Sequence, residues 1–384
     1  MNRKIRMGMI GGGRGAFIGN IHRMAAALDG KIELVCGAFS SDAEKSRMSG
    51  ADLFLDPSRV YASYQQMIET ESKLSEDIRM DFVSIVTPNH MHYAPAKMAM
   101  QHGFHIVCDK PLCFNMEEAY DLKLVVQQSG LIFALTHNYT GYPMVKQAKA
   151  MVAAGDFGTI RKVVVEYPQG WLSTKLEATN QKQASWRTDP TKSGIAGAIG
   201  DIGTHAENLV EYVTGLQITS LCADISAIVP GRMLDDDGNV LLRFDNGAKG
   251  ILIASQISAG EENNLRIKVY GEKGGCEWSQ MEPNSLIVRW LEQATQVYRT
   301  GVGHQSNSST MHTRLPAGHP EGYLEAFASI YRNVAFCISA RTEGRKADEI
   351  YTDFPGIDDG IRGMNFIYKV IESGKSDKKW IAVQ

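Results

Sequence analysis

The chain has 384 residues, of which 43% are hydrophobic and 22% charged, and its formal net charge is −3. This length exceeds one typical hydrophobic core, so two domains are expected. The charge pattern has no basic patch and no acidic tail, which argues against a nucleic-acid partner. No apolar run approaches the roughly 20 residues of a membrane span, so we expect no membrane partner either.

The cysteines and the N-terminal residues indicate the compartment. The first residues lack the apolar stretch and small-residue cleavage site of a signal peptide. The cysteines are dispersed without CxxC spacing and most lie in apolar runs, which predicts reduced core thiols instead of disulfides or metal ligands. We therefore expect a cytoplasmic protein without a bound metal. The six cysteines are Cys36, Cys108, Cys113, Cys222, Cys276 and Cys337.

From residue 4 to about residue 136, short apolar runs alternate with longer amphipathic segments. The helical period of 3.6 residues is clear in Ala94–Gln101 and Met116–Gln128. Alternation of this kind predicts a parallel sheet with helices on both faces. The predicted strands are Ile5–Ile10, Ile32–Phe39, Phe82–Thr87, His105–Cys108 and Leu131–Leu135.

A glycine-rich turn, Gly11-Gly12-Gly13-Arg14-Gly15-Ala16, follows the first predicted strand. Glycines at this place allow a tight turn and close approach of the backbone to a pyrophosphate, which then binds the N–H groups of the next helix. An ordinary glycine-rich turn is the alternative, but the strand–turn–helix context favours a dinucleotide site. The expected cofactor contacts here are Gly11, Gly13, Arg14, Ala16, Phe17 and Ile18.

The end of the second strand bears on the choice of dinucleotide. An acidic residue for the adenosine ribose is expected there, but the chain has Phe39-Ser40-Ser41, with Asp42 slightly later. No arginine follows immediately to bind a 2′-phosphate, although Arg47 lies one or two turns further on. We expect Ser40 and Ser41 to contact the cofactor, and we favour NAD while leaving NADP open.

The third strand is followed by Thr87-Pro88-Asn89-His90-Met91-His92. Ligands of parallel sheets bind at the carboxyl ends of the strands. We therefore predict cofactor contacts from Thr87, Pro88, Asn89 and His92. The alternative is a Pro-Asn helix cap with two surface histidines.

After residue 160 the pattern changes to consecutive strands, which predicts an antiparallel sheet. Asp245-Asn246-Gly247 lies between two apolar runs and is typical of a hairpin, and Glu272-Lys273-Gly274-Gly275 is a second turn. We place the division of domains at 1–137 and 138–384, with a helix over Pro143–Ala154 near the start of the second. Its predicted strands are Lys162–Tyr167, Leu221–Val229, Val240–Phe244, Gly250–Ile257, Leu265–Tyr270 and Leu286–Trp290, and its late helices are Gly322–Ser339 and Asp358–Glu372.

Two further motifs carry side chains suited to proton transfer. Cys108-Asp109-Lys110-Pro111-Leu112 places a lysine at the end of a buried apolar run. Gly200-Asp201-Ile202-Gly203-Thr204-His205 places a carboxylate and an imidazole four residues apart, on one face of a predicted helix start. Taken singly, these residues also suit a strand end, a helix cap and a surface histidine.

Together the motifs resemble the Gfo/Idh/MocA family, which includes glucose–fructose oxidoreductase and inositol 2-dehydrogenase. The resemblance implies an α/β protein: an N-terminal Rossmann domain and a C-terminal α/β domain with a large, open, mostly antiparallel sheet. It also implies an NAD(P)-dependent oxidoreductase acting on CH–OH groups, with Lys110, Asp201 and His205 as catalytic residues. A histidine suits removal of the hydroxyl proton, and an ammonium favours developing alkoxide charge. Asp109, Lys110 and Asn138 are further expected cofactor contacts.

The chain departs from the family pattern in three places. Asp109 stands where the family usually has glutamate, which keeps the carboxylate. The stretch from Gly11 to His22 is longer than the usual turn. Asn208 stands where many members have an aspartate, three residues after the histidine, so the substrate pattern is expected to differ from that of inositol dehydrogenases.

The substrate implied by the resemblance is a sugar, a glycoside or a cyclic polyol, and we favour oxidation of a ring hydroxyl such as the C3 hydroxyl of a glucoside. Aromatic and polar side chains in the loop Gln169–Gly197 suit a pyranose ring, although an ordered loop anchored by tryptophan has the same composition. The expected substrate contacts are Lys110, Tyr139, Tyr167, Trp171, Trp186, Arg187, Asp201 and His205.

Other functions remain open on the sequence alone. Within enzymes, the alternatives are an inositol 2-dehydrogenase, a sugar reductase, or an enzyme whose cofactor withdraws and returns hydride without net oxidation. From another class, the alternative is a non-catalytic nucleotide or sugar sensor, although a sensor needs no proton-transfer set. The resemblance also implies a homodimer or homotetramer formed through the C-terminal sheet.

Overall fold

The computed structural model describes residues 3–383 and divides into two compact units. The first unit contains the residues up to Asn138 together with Phe327–Ile361. The second contains Tyr139–Ala326 and the chain from Arg362 onward. The chain therefore returns to the first unit over residues 327–361. The predicted division at 137/138 placed this segment in the second domain.

The first unit contains a five-stranded, wholly parallel sheet in the order β2-β1-β3-β4-β5. Every residue of β3 and β4 is buried, as expected for strands covered by helices on both faces. The predicted Rossmann arrangement is confirmed. The strands are β1 (Ile5–Gly11), β2 (Ile32–Ala38), β3 (Phe82–Val86), β4 (His105–Cys108) and β5 (Phe133–Leu135), and the helices are α1 (Gly19–Leu28), α2 (Ala43–Asp52), α3 (Tyr64–Glu71), α4 (Tyr93–Gln101) and α5 (Met116–Ser129).

The second unit contains a nine-stranded sheet in the order β13-β12-β11-β10-β6-β9-β8-β7-β14. All neighbouring strands are antiparallel except β6 and β9, which confirms the predicted mostly antiparallel sheet. The strands are β6 (Ile160–Pro168), β7 (Ile218–Ser226), β8 (Asp237–Phe244), β9 (Lys249–Ser255), β10 (Arg266–Gly271), β11 (Gly274–Ser279), β12 (Ser285–Trp290), β13 (Gln296–Arg299) and β14 (Trp380–Ala382).

The remaining helices follow β5 in chain order. Both predicted turns join strands: Asp245-Asn246-Gly247 connects β8 to β9, with Gly247 at φ +87°, and Lys273 lies between β10 and β11. Strand β11 and the short strands β13 and β14 were not predicted from the sequence, and the last two residues of the second predicted turn, Gly274 and Gly275, are the first two of β11. The helices are α6 (Pro143–Ala153), α7 (Lys182–Arg187), α8 (Pro190–Ser193), α9 (Thr204–Thr214), α10 (Asn307–His312), α11 (Tyr323–Thr342) and α12 (Ile357–Lys375).

Helices α6 and α9 pack against the nine-stranded sheet, and the strands of this sheet alternate between buried and exposed residues. One row of paired residues runs across seven strands on the more exposed face, and most of its members are apolar. This face is the one on which a second subunit is expected. The row is Leu241, Ile251, Val164, Lys268, Glu277, Ile287 and Val297.

The chain carries six free thiols, five of them buried, in agreement with the predicted core cysteines. Burial raises the pKa of Cys276 to about 12, so this thiol stays protonated and behaves as a small apolar side chain. Within residues 3–383, no helix is both long enough and apolar enough to cross a membrane.

His105, the first residue of β4, is a buried histidine that depends on being neutral. Its Nδ1 accepts the backbone N–H of Ile132 at 2.9 Å, so a proton on that nitrogen would break the bond. Burial, assisted by the positive charge of Arg341, lowers the pKa of His105 to about 4. Between the ordinary value of 6.5 and about 4, the unfolded chain therefore binds a proton that the folded chain does not.

We predict that stability falls as the pH is lowered from 6.5 to 4.5, with a contribution from His105 on the order of 3 kcal/mol once the pH lies below its folded-state pKa. In His105→Gln, which keeps an acceptor but cannot titrate, the free energy of unfolding should depend less on pH over this range. Urea unfolding at several pH values measures the effect, and His90→Gln, at an exposed histidine, is the control. Equal pH dependence in His105→Gln and wild type would contradict the prediction.

Candidate active site

The glycine-rich turn after β1 packs directly against α1. Gly11 and Gly12 have φ values of +81° and +72°, in the left-handed region that favours glycine. A Cβ on Gly19, the first residue of α1, would lie 2.3 Å from the Cα of Gly12. Backbone therefore touches backbone here, and no side chain other than hydrogen fits between turn and helix.

The first turn of α1 is suited to an anionic ligand. Its N-cap residue, Ile18, provides no side-chain hydrogen bond to the helix, so the first N–H groups of this ten-residue helix are not capped by a side chain. Together with the glycine turn, this arrangement fits the pyrophosphate of a dinucleotide. Of the predicted contacts in this stretch, Phe17 is largely exposed, whereas the Arg14 side chain forms an ion pair with Asp52 of α2.

The residues after β2 do not provide the carboxylate that is expected to bind the adenosine ribose. Asp42 is the N-cap of α2 and accepts the backbone N–H of Lys45 at 2.9 Å, so its carboxylate is used by the helix. Ser40 is half-buried and its Oγ accepts the N–H of Asp42, and Ser41 is exposed. The polar groups that the structure places at this strand end are thus hydroxyls, as the sequence indicated.

The segment after β3 is held by His92, which is buried. Its Nε2 lies 2.9 Å from the carbonyl oxygen of Thr87, and its Nδ1 lies 2.7 Å from that of Pro111. Burial lowers the pKa of His92, and a neutral ring donates to one of these two oxygens only. His92 therefore joins the turn after β3 to the turn after β4. Asn89 is also buried, and Pro88 is exposed.

Lys110 follows β4 and lies between two fixed neighbours. On one side, Asp109 accepts the backbone N–H of Lys110 at 3.0 Å and the hydroxyl of Thr136 at 2.8 Å through the same oxygen, Oδ1. On the other side, the cis-bonded Pro111 is held by His92. His137, after β5, is a neutral neighbour, because burial and then the charge of Lys110 lower its pKa to about 3.

In the second unit, Asp201 lies on a π-helical turn, Ile199–Gly203, that runs directly into α9. The sequence predicted an ordinary helix start with Asp201 and His205 one turn apart. The extra residue in a π turn changes which side chains share a face, and such turns are frequent at functional sites. His205 is the second residue of α9 and is buried.

The π turn is anchored by a buried carboxylate that the sequence did not reveal. Asp235 accepts the backbone N–H of Gly197 at 2.7 Å and that of Ile199 at 2.8 Å, and its own carbonyl accepts the N–H of Ala198. Burial raises the pKa of Asp235, against the effect of these two backbone donors. The segment that leads to Asp201 is therefore fixed by three hydrogen bonds to one residue.

The Asp201 carboxylate accepts from two side chains at one oxygen, Oδ2. Arg187 Nε donates at 3.0 Å and Gln256 Nε2 donates at 2.9 Å. The Arg187 guanidinium also lies over the rings of Trp186, at 4.3 Å from the centroid, and Trp171, at 5.9 Å. The structure thus brings three predicted substrate residues of the loop to the predicted catalytic carboxylate.

A second cluster of hydrogen-bonding groups lies beside His205. The Tyr139 ring makes an edge contact with the His205 imidazole, with ring centroids 4.9 Å apart. The hydroxyls of Tyr139 and Tyr167 are bonded to each other, and Asn263 bonds both, at 3.1 Å and 2.8 Å. Gln169 joins this cluster to the aromatic loop, because its Nε2 donates to Asn263 and its Oε1 accepts the indole N–H of Trp171.

Asn138 and Asn208 are buried residues with side-chain amides. Within the described part of the chain, Nδ2 of Asn138 and Oδ1 of Asn208 have no hydrogen-bond partner. An orphaned buried donor or acceptor is costly, so each is a candidate to bind a ligand. Over the same residues, no group of three or more His, Cys, Asp or Glu side chains is placed to hold a metal ion.

Gln256, Asn263 and Asp235 were not among the site residues predicted from the sequence. Gln256 follows β9 and Asn263 precedes β10, and each contacts residues distant along the chain, so no local pattern identifies them. For Asp235 the only signal is the acidic run 235–237 between two apolar segments, which also suits a solvated loop.

Two family models match consecutive parts of this chain. Residues 5–139 match the oxidoreductase family with an NAD-binding Rossmann fold, and residues 145–277 match the GFO/IDH/MocA C-terminal domain. The crystal structure of an oxidoreductase from Sinorhizobium meliloti is 44% identical, with a TM-score of 0.90, over 99% of this chain and 100% of that one. The chain belongs to the GFO/IDH/MocA oxidoreductase family.

Two further proteins similar to this chain bear dehydrogenase names. An inositol dehydrogenase homolog from Azotobacter vinelandii, solved with NADH and myo-inositol, is 33% identical, with a TM-score of 0.91, over 100% of this chain and 98% of that one. Levoglucosan dehydrogenase from Pseudarthrobacter phenanthrenivorans is 26% identical over 74% of this chain and 76% of that protein. The predicted NAD-dependent oxidoreductase is thereby confirmed.

We predict that Gly19→Ala weakens NADH binding at least about fivefold, because fitting a methyl group against Gly12 must displace the turn, and overpacking of this kind costs about 1–3 kcal/mol. Alanine is otherwise the better helix former, so helix propensity works against this result. NADH fluorescence titration measures the affinity. Asn20→Ala, at the exposed next residue, is the matched control, and unchanged affinity in Gly19→Ala would show that the turn does not contact the cofactor.

Proposed function

We propose that this oxidoreductase uses NAD to oxidise a secondary ring hydroxyl of a sugar, a glycoside or a cyclic polyol, with the C3 hydroxyl of a glucoside as the favoured position. The observation that carries the proposal is the setting of Asp201 and His205. Both lie among aromatic rings and amide groups, which is the combination that suits a ring with apolar faces and hydroxyl edges.

The aromatic part of this setting is Trp171 and Trp186, which flank Arg187. We assign them to the faces of the substrate ring. The guanidinium of Arg187 holds Asp201 and supplies further N–H donors for hydroxyl oxygens. Tyr139 and Tyr167 supply hydroxyls that can both donate and accept.

Asn208 supports recognition of a hydroxylated substrate. It lies three residues after His205 on α9, is buried, and its Oδ1 is an acceptor without a partner among residues 3–383. A substrate hydroxyl that donates to this oxygen would satisfy it. An amide oxygen at this place accepts as the family's more usual carboxylate does, but without its charge, which favours a neutral substrate.

His205 is assigned the proton of the reacting hydroxyl. Oxidation of a secondary alcohol requires that the O–H proton leave as the C–H hydrogen departs with its electron pair. An imidazole can accept that proton near neutral pH. Asp201, held at Oδ2 by Arg187 and Gln256, is assigned to orient the ring or to share the proton.

Lys110 is assigned to the oxygen of the same hydroxyl, where an ammonium favours the alkoxide that develops as the proton leaves. Bound NAD supplies the acceptor for the hydride. The residues that fit the nucleotide are the glycine turn, the uncapped start of α1, Ser40 and Ser41, the turn at Thr87–Asn89, and Asn138, whose buried Nδ2 is an orphaned donor.

An inositol 2-dehydrogenase is the second candidate, and the Azotobacter vinelandii homolog solved with myo-inositol favours it. The levoglucosan dehydrogenase relative favours a glycoside instead. Inositol and levoglucosan are both ring polyols, so the two candidate functions share the chemistry assigned above and differ in which hydroxyls are recognised.

We also propose that two copies of the chain associate through the nine-stranded sheet. The row from Leu241 to Val297 provides five apolar side chains on the more exposed face, and Leu241 and Val297 are about half exposed. Burying such a row against a second copy is the usual way in which an open sheet face is covered.

The proposal is tested by the absorbance of reduced nicotinamide with a panel of inositols, free sugars and glucosides, each with NAD and with NADP. We expect NADH to accumulate with at least one ring polyol or glycoside. Accumulation with myo-inositol alone would support the second candidate. If the protein binds NADH but forms no reduced nicotinamide with any compound of the panel, the result would contradict net oxidation. It would favour a cofactor that is reduced and reoxidised within one turnover, or a sensor.

We predict that His205→Asn lowers kcat by a factor of at least about 100, because general acid–base assistance typically contributes 10²–10⁴. The dissociation constant of NADH should change less than about twofold, a difference below 0.5 kcal/mol. Steady-state kinetics and fluorescence titration measure the two quantities. His312→Asn, at another buried histidine of the second unit, is the control for loss of stability. Wild-type turnover in His205→Asn would remove this residue from the mechanism.

A further inference from the structure

A row of buried polar groups crosses the first unit, and the assigned roles make no use of it. His22 lies on α1, and its Nδ1 is 2.7 Å from the hydroxyl of Tyr331 on α11. That hydroxyl is in turn 2.7 Å from the Oγ of Ser84 on β3. All three residues are fully buried. A buried polar row is costly unless each group is satisfied, so the arrangement calls for an explanation.

The other end of the row is Asp109, the residue before Lys110. The Nε2 of His22 is 3.8 Å from Oδ2 of Asp109, which is ion-pair distance and longer than a hydrogen bond. Burial acts to raise the pKa of Asp109, but the contact with His22, followed by the charge of Lys110, outweighs it and holds the pKa well below its usual range. Asp109 is therefore a carboxylate.

An anionic end favours one direction of donors along the row. A carboxylate only accepts, so the Nε2 of His22 faces Asp109 as a donor. In the tautomer with its proton on Nε2, Nδ1 accepts the hydroxyl proton of Tyr331, whose oxygen can accept in turn from Ser84. In this order Ser84 and Tyr331 each donate one hydrogen bond along the row, and the last step, from His22 Nε2 to Asp109, is an electrostatic contact at 3.8 Å and not a hydrogen bond.

Asp109 passes this restraint to Lys110 directly. While Oδ2 faces His22, Oδ1 accepts the backbone N–H of Lys110 and the hydroxyl of Thr136. The carboxylate is thus surrounded by donors from α1, from its own turn and from the end of β5. Movement of His22 would release one of the three and loosen the backbone that carries the lysine.

We propose that His22, oriented by Tyr331 and Ser84, is a positioning residue that holds Asp109 and through it Lys110. Because His22 is on the helix that opens the nucleotide site, this row connects α1 to the turn that carries the lysine. The proposal rests on the proposed function, in which Lys110 acts on the substrate hydroxyl. It concerns the placement of the lysine, not the binding of the nucleotide.

The test uses Tyr331→Phe, which keeps the ring and removes one oxygen, and His22→Asn, which removes the Nε2 donor. Hydrogen–deuterium exchange of the peptide that contains the Lys110 amide should be faster in both variants, by roughly tenfold, and unchanged in peptides from the second unit. Tyr120→Phe, at an exposed tyrosine of the same unit, should exchange as wild type does. Unchanged exchange at Lys110 in both variants would overturn the proposal, whether or not the enzyme turns over.

Kinetics then separate positioning from a structural role. We expect kcat/KM for the ring polyol to fall roughly tenfold to a hundredfold in either variant, since small misplacements of a reacting group have effects of this size, while the NADH dissociation constant stays within twofold. His22→Gln, which restores an N–H donor, should recover part of the loss. The double variant of His22→Asn with Asp109→Asn should be no slower than the slower single variant.

The outcomes distinguish the two proposals. Losses that multiply in the double variant, or an equal loss in NADH affinity and turnover, would overturn the positioning role. Faster exchange at Lys110 in a protein that oxidises nothing in the panel would support the positioning role and contradict the proposed dehydrogenase.

Discussion

The proposed substrate site depends on one buried carboxylate, that of Asp235. Its two oxygens accept the backbone N–H groups of Gly197 and Ile199, at the entrance to the π-helical turn that carries Asp201. A π turn is an irregular helix, and its conformation persists only where surrounding contacts impose it. A buried carboxyl group bonded to two amides of the same segment provides such a contact, because releasing the segment would leave its desolvated oxygens without partners.

The first unit contains a similar contact, made by the carboxylate of Asp109. Asp109 is held by a backbone amide, a hydroxyl and an imidazole, and it directly precedes Lys110. In both units, then, an acid that contacts no substrate in the proposed mechanism fixes the backbone beside a residue that does. Preorganisation of this kind lets the reacting groups stabilise charge in the transition state without first rearranging, and this is the main source of electrostatic rate enhancement in enzymes.

Much of the fold could be predicted from the sequence, because its signals are local. The five strands of the first sheet follow from apolar runs alternating with amphipathic helices, and the hairpin at Asp245-Asn246-Gly247 follows from turn chemistry. The short strands at the sheet edges could not be predicted, because three or four residues carry too little periodicity. The return of residues 327–361 to the first unit is a long-range effect that no local pattern shows.

Candidate site residues could be proposed from the sequence where they stand in contiguous motifs, and not where they are distant along the chain. Lys110, Asp201 and His205 stand in short motifs that resemble a family, whereas Gln256 and Asn263 enter the site through strand ends distant in sequence. The π turn was read as ordinary helix, since the spacing of an aspartate and a histidine by four residues fits an α-helix equally well.

The central claim is that a hydrogen bound to a ring carbon of the substrate leaves as hydride to NAD. It is tested most directly with a ring polyol from the panel that carries deuterium at the oxidised carbon, followed by mass spectrometry of the nicotinamide. The account predicts one deuterium in each NADH formed and a slower turnover than with the unlabelled substrate. NADH free of deuterium, or deuterium recovered only in a product that is not oxidised, would contradict it.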